Sequence, residues 1–127
     1  MIYIADSSFL VSLALAEDEN HKKAVAELKK IKDGKILICN HVLHETLTVL
    51  LYKRNSFFCR GFYQAISMTD GIIFKFIPME EENEILNDFL SQESKLSFVD
   101  ISVKNIAEKS GYCILAFDRD LLKAAKS

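Results

Sequence analysis

The chain has 127 residues, half of them hydrophobic, 27% charged and one a proline, which supplies enough apolar material for a core and excludes both a disordered chain and a disulfide scaffold. No apolar run reaches the roughly 18 residues that span a bilayer, and the start MIYIADSS lacks the basic residues and long apolar stretch of a signal peptide, so a cytoplasmic protein with no membrane attachment is expected. The net charge of −2 gives no overall basic excess of the kind usual in nucleic-acid binders.

Residues 2–5, IYIA, form a short β-branched apolar run that ends at Asp6 and predicts a buried strand, with Ser7 or Ser8 placed to cap a following helix. Ala24, Val25, Leu28 and Ile31 recur at helical spacing over about 20–32, and Asp33-Gly34 closes that helix. A second strand at 36–39 leads into a helix over about 41–54 whose broad apolar face holds Val42, Leu43, Thr46, Leu47, Leu50 and Leu51. Another helix is predicted over 56–69, and after Gly71 the run IIFKFI at 72–77 predicts a third strand, stopped by Pro78. Glu80, Glu81, Glu82 and Glu84 read as the solvated start of the next helix, where the dipole favours negative charge. Ser97 opens a helix to about Lys109, Gly111 ends it, and YCILAF at 112–117 predicts the fourth strand, followed by a short helix from Asp118. The alternation argues for one α/β domain over 1–127, a parallel sheet with helices on both faces, whose ligands bind beyond the strand C-termini. Cys39, Cys59 and Cys113 are odd in number and widely spaced, which points to reduced core residues.

Five acidic residues fall at that same edge. Asp6 follows the first strand, Glu45 lies one turn into the helix after the second, Asp100 starts a later helix, and Asp118 and Asp120 follow the last strand. Each aspartate has an ordinary role as a helix cap, and Ser97 with Asp100 matches a capping box. Glu45 borders the apolar face, so it needs a cationic partner or a metal, and His41 at i−4 is the protein partner within reach. Brought together, such carboxylates would repel by roughly 3 kcal/mol per pair at 5 Å and an effective dielectric of 20, a repulsion that a divalent cation removes. Oxygen ligands without cysteine select Mg2+ or Mn2+, which keep the open water positions that phosphodiester hydrolysis needs. Withdrawing five of the 18 acidic residues into one pocket leaves 13 against 16 basic ones, an exterior compatible with RNA.

In its ordered fragments Ile4-Ala5-Asp6-Ser7-Ser8, Val42-Leu43-His44-Glu45, Leu96-Ser97-Phe98-Val99-Asp100 and Leu115-Ala116-Phe117-Asp118-Arg119-Asp120-Leu121, the chain resembles the PIN-domain nucleases, in particular the short VapC toxins of toxin-antitoxin modules. The resemblance spans nearly the whole chain. It implies a three-layer α/β/α fold on a parallel sheet of four strands or five, and a ribonuclease dependent on Mg2+ or Mn2+. It further implies metal-binding acids at Asp6, Glu45, Asp100 and Asp118, with Asp120 as a fifth catalytic acid, a homodimer and a cognate antitoxin protein. Ala116 departs from the Ser or Thr common two residues before the fourth acid, and little chain follows the last helix to build a fifth strand.

For positioning RNA, Lys53, Arg54, Arg60 and Arg119 are the candidate cations, while Phe57, Phe58, Phe62 and Tyr63 read as packing, in the core or at a dimer interface. Three rival readings stand beside this one. His41, His44 and Glu45 offer zinc ligands, although their order matches no zinc-protease motif. A receiver-like domain needs paired acids after its first strand, where Asp6 stands alone. A catalytically weak or inactive PIN scaffold that binds RNA or protein is the third.

Overall fold

The computed structural model describes residues 1–31 and 33–126. Its described elements run β1 (Ile2–Ala5), α1 (Ser7–Ala14), α2 (His21–Lys30), β2 (Lys35–Cys39), α3 (Asn40–Lys53), α4 (Ser56–Ser67), β3 (Ile72–Lys75), α5 (Met79–Ser91), α6 (Phe98–Ser110), β4 (Cys113–Leu115) and α7 (Arg119–Lys126). The four strands form one parallel sheet in the order β3-β2-β1-β4, as the alternating pattern predicts. Tyr3 of β1 lies between Ile36 of β2 and Cys113 of β4, which sets the register on both sides. Among the described residues the sheet has no fifth strand.

The central strands carry the core. Ile4 and Ala5 of β1 and Ile36 to Cys39 of β2 are buried, as strands covered on both faces must be. Phe9 and Leu10 of α1, Val42 of α3 and Val103 and Ile106 of α6 pack with them in one cluster. Among the described residues no helix is long and apolar enough to cross a membrane.

The outer strands are shorter than their apolar runs. β3 stops at Lys75 because the Ile77 N–H turns to the Asn40 side-chain oxygen at 3.0 Å and Pro78 has no N–H to offer a ladder. β4 stops at Leu115 because the Phe117 N–H donates to Ser8 Oγ at 2.9 Å. All three cysteines are free, but only Cys39 is in the core. Cys59 is half-buried, and Cys113, on an edge strand with one neighbour, is exposed.

Order and direction of the strands locate the site. From β1 the chain builds outward through β2 and β3, then returns to add β4 on the other side of β1. That reversal opens a crevice beyond the carboxyl ends of β1 and β4, where doubly wound sheets bind ligands. Asp6 and Asp118 leave those two strands.

Candidate metal centre

Helix capping places three of the carboxylates. Asp6, and not Ser7 or Ser8, is the N-cap of α1: its Oδ2 accepts the Ser8 N–H at 3.2 Å and the Ser8 hydroxyl at 2.8 Å, because the helix starts one residue earlier than the serines would allow as caps. The Asp6 N–H donates to Leu115 O at 2.9 Å and Ser8 Oγ accepts from Phe117, so the ends of β1 and β4 are joined by backbone and side chain together. Ala116 brings no hydroxyl, and the one bonded into this junction is Ser8's. Asp100 completes the expected capping box with Ser97, accepting the Ser97 N–H at Oδ2 while Ser97 Oγ accepts the Asp100 N–H at 3.1 Å. Asp118 accepts the Leu121 N–H at Oδ1 and so starts α7.

A cap engages one carboxylate oxygen and leaves the other. Capping and ligation, which look like competitors in the sequence, are therefore compatible, and the cap fixes the side chain that a ligand would meet. Replacing Ser97 with alanine removes one such cap, and we expect a loss of about 1 kcal/mol, read as a fall of a few degrees in the thermal midpoint.

Asp6, Glu45, Asp100 and Asp118 line one cavity of about 480 Å³. Asp6 is 2% exposed, and its Oδ1 is buried without a hydrogen-bond partner. Glu45, on α3, is half-buried and has no cationic partner among the described residues. His41 does not serve it. That imidazole instead places Nδ1 2.7 Å from Ser102 Oγ on α6 and Nε2 against the Glu82 carboxylate of α5. Both ring nitrogens are thus engaged, which removes the zinc reading for His41. The acidic start of α5 is correspondingly less solvated than its sequence suggests, since Glu81 pairs with Lys75 at 3.3 Å and Glu84 with Lys109 at 2.7 Å.

The charges feel one another. Burial raises the Asp6 pKa, the Ser8 hydrogen bonds hold it down and Glu45 pushes it up. Burial raises Asp100 to about 6, with the charges of Asp6 and Asp118 adding to the rise.

Asp120 lies elsewhere. It lines a separate cavity with Lys95 and Lys123, because it lies in the first turn of α7 whereas Asp118 precedes that helix and lines the first cavity. Lys53, Arg54, Arg60 and Arg119 do not line the carboxylate cavity either. Arg54 is paired with Glu17 and stands 5.7 Å over the Phe58 ring. Among the residues of the cavity wall that escape sequence reading are Asp18 and Asn20 in the α1–α2 connection. The Asp18 side chain accepts the Asn20 N–H at 2.9 Å, an Asx turn whose signature is Asp-x-Asn, hidden here in the acidic run 17–19.

Oxygen donors, one of them orphaned and buried, suit a hard divalent cation. As they stand, no three histidine, cysteine, aspartate or glutamate side chains among the described residues form a group that holds an ion. The donors line a roomy cavity, which suits an ion that keeps several of its waters, as magnesium does.

With this carboxylate cavity beyond the strand C-termini in view, the family model for the PIN domain matches residues 3–127, and the chain belongs to that family. Among solved structures, the chain is similar to VapC20 of Mycobacterium tuberculosis, a toxin that cleaves the sarcin-ricin loop, with 26% identity, a TM-score of 0.84 and coverage of 98% of this chain and 95% of that one. No curated protein matches it.

Proposed function

We propose that residues 1–127 act as one VapC-like ribonuclease unit in which Asp6, Glu45, Asp100 and Asp118 hold Mg2+ or Mn2+ against an RNA phosphodiester. The observation that carries this reading is the Asp6 Oδ1, buried and unbonded at the wall of a cavity shared with three further carboxylates. A divalent cation bound there supplies a nucleophilic water at neutral pH and neutralises charge on the phosphate. Asp6 and Asp118, fixed by their caps on either side of the β1–β4 junction, are the rigid ligands, and Asp100 is held by its box. Glu45, the one acid without a cap or partner, is free to orient the attacking water and accept its proton. Asp120, grouped with these acids by its sequence position, lines the neighbouring cavity rather than this one, and the proposed ligand set is kept to the other four.

Cleavage of a labelled RNA in magnesium or manganese, abolished by EDTA and restored by either ion, is the expected result. A chain that cleaves no RNA with either ion would be a scaffold instead. The proposed place of action is the cytoplasm, with an antitoxin protein as partner.

A homodimer belongs to the same reading. Tyr52 is 83% exposed, Phe57 77% and Phe76 75%, although Phe62 packs on the core as expected. Large aromatics left in water on α3, α4 and the chain after β3 support an interface between copies. Light scattering coupled to size exclusion should return a mass near twice that of the chain at tens of micromolar, and a Phe57→Glu variant should return the single mass. A wild-type monomer at that concentration would refute it.

A further inference from the structure

Beside the carboxylate cavity lies a second, of about 470 Å³, lined by Ser94, Lys95, Leu96, Asp120, Lys123 and Ala124. The two have no lining residue in common but draw on the same two chain segments. The α5–α6 connection gives Leu96 to one and Ser97 to the other, and the start of α7 gives Asp120 to one while Asp118 serves the other. Lys95 and Lys123 are exposed and make no ion pair among the described residues, whereas Lys30, Arg54, Lys75, Lys104 and Lys109 each have a carboxylate partner. Asp120 is the single acid of the lining, so its formal charge is positive, next to a cavity that is strongly negative.

Between these cations the floor is apolar, made by Leu96, Ala124 and the lysine stems. Two free cations over an apolar floor fit a polymer whose anionic links alternate with flat, weakly polar groups, which describes a single nucleic-acid strand. Because the same two chain segments, 96–97 and 118–120, line both cavities, a strand with its scissile phosphate at the carboxylates is within reach of the second cavity with its neighbouring nucleotides.

We infer that this second cavity is a substrate subsite, in which Lys95 and Lys123 each take a backbone phosphate beside the scissile link and the apolar lining takes a base. The inference rests on the ribonuclease reading and adds to it the direction in which the strand leaves the metal. It also adds two cations to those favoured by sequence alone. Lys95 and Lys123 bind the substrate and touch no reacting atom, so they act on KM and leave the chemical step to the carboxylates.

The test is steady-state cleavage of a fluorescein-labelled 12-nucleotide single-stranded RNA in manganese, at several salt concentrations, by the full chain and three double variants. For Lys95→Ala with Lys123→Ala we expect KM to rise about tenfold with kcat within about twofold, and the salt dependence of log(kcat/KM) to flatten by about 1.4, roughly 0.7 for each phosphate left without its lysine. Lys95→Arg with Lys123→Arg keeps the charges and should keep KM and slope. Lys29→Ala with Lys35→Ala removes two charges near the opposite, N-terminal end of the sheet and should change neither. Thermal melting of each variant guards against misfolding, which exposed lysines make a small risk. An alanine pair that cleaves with wild-type KM and slope while the wild type is active overturns the subsite alone. A wild type that neither binds nor cleaves this RNA overturns the ribonuclease reading and the subsite with it.

Discussion

Asp6→Asn is expected to reduce RNA cleavage in manganese by about 10²- to 10³-fold, with no loss of stability in EDTA. The two halves of that expectation have separate causes. Asparagine caps a helix about as well as aspartate, so its side-chain oxygen can accept the Ser8 N–H and hydroxyl in place of Oδ2, and α1 keeps its start. The amide nitrogen then occupies the orphan Oδ1 position, where a donor suits the Glu45 charge that now opposes Asp6. A buried negative charge disappears as well, so the metal-free midpoint should stay or rise. Catalysis responds oppositely. The best-buried ligand oxygen is lost, and removing one preorganised electrostatic group typically costs that range in rate. Wild-type rates for a folded Asp6→Asn protein would dismiss Asp6 as a ligand.

The second large effect is a reversal of pH dependence by the cation. Asp100 holds its proton to about pH 6 in the folded chain against 3.8 as its ordinary value. Between those two values the folded state binds more protons than the unfolded one, so stability without metal falls as pH rises from 4 to 6 and levels off above. The whole shift corresponds to roughly 3 kcal/mol, and solvent screening of a part-exposed carboxyl brings it to about 1–2 kcal/mol. Asp6, raised chiefly by burial, adds in the same direction.

Cation binding requires the ionised forms, so manganese should stabilise little at pH 5 and strongly at pH 7.5. At a hundredfold excess over its Kd the gain is about 2.7 kcal/mol, a rise of roughly 10 °C in the midpoint. Thermal melts across pH 4–8, with EDTA and with manganese, give both curves. Metal-free stability that climbs from pH 4 to 6, or an absent manganese shift at pH 7.5, would contradict the buried, mutually repelling carboxylates on which the site is built.

Local chemistry made much of this molecule legible in its residues. β-Branched runs wrote the strands, helical periodicity wrote α2 and α3, and Ser97 with Asp100 wrote the start of α6, since a capping box depends on residues three apart. Gly111 ends α6 in the left-handed conformation, φ 71°, which glycine adopts without strain. Alternation of elements determined the parallel sheet, and the acids after strands one and four, with those opening or entering helices, marked the binding edge.

Distances in space were left to the tertiary structure. His41 and Glu45 are neighbours on a helix, yet packing of α3 against α6 and the nearby start of α5 give His41 to Ser102 and Glu82 and leave Glu45 to the cavity. Asp118 and Asp120 look equivalent in the chain, and the turn of α7 sends them into different cavities. Asp18 joins the wall through a loop whose acidic composition resembles any solvated surface. A sequence determines what each segment prefers, because those preferences act over a few residues. Which side chains meet is decided by strand order and helix packing, where the approach of distant segments sets the geometry.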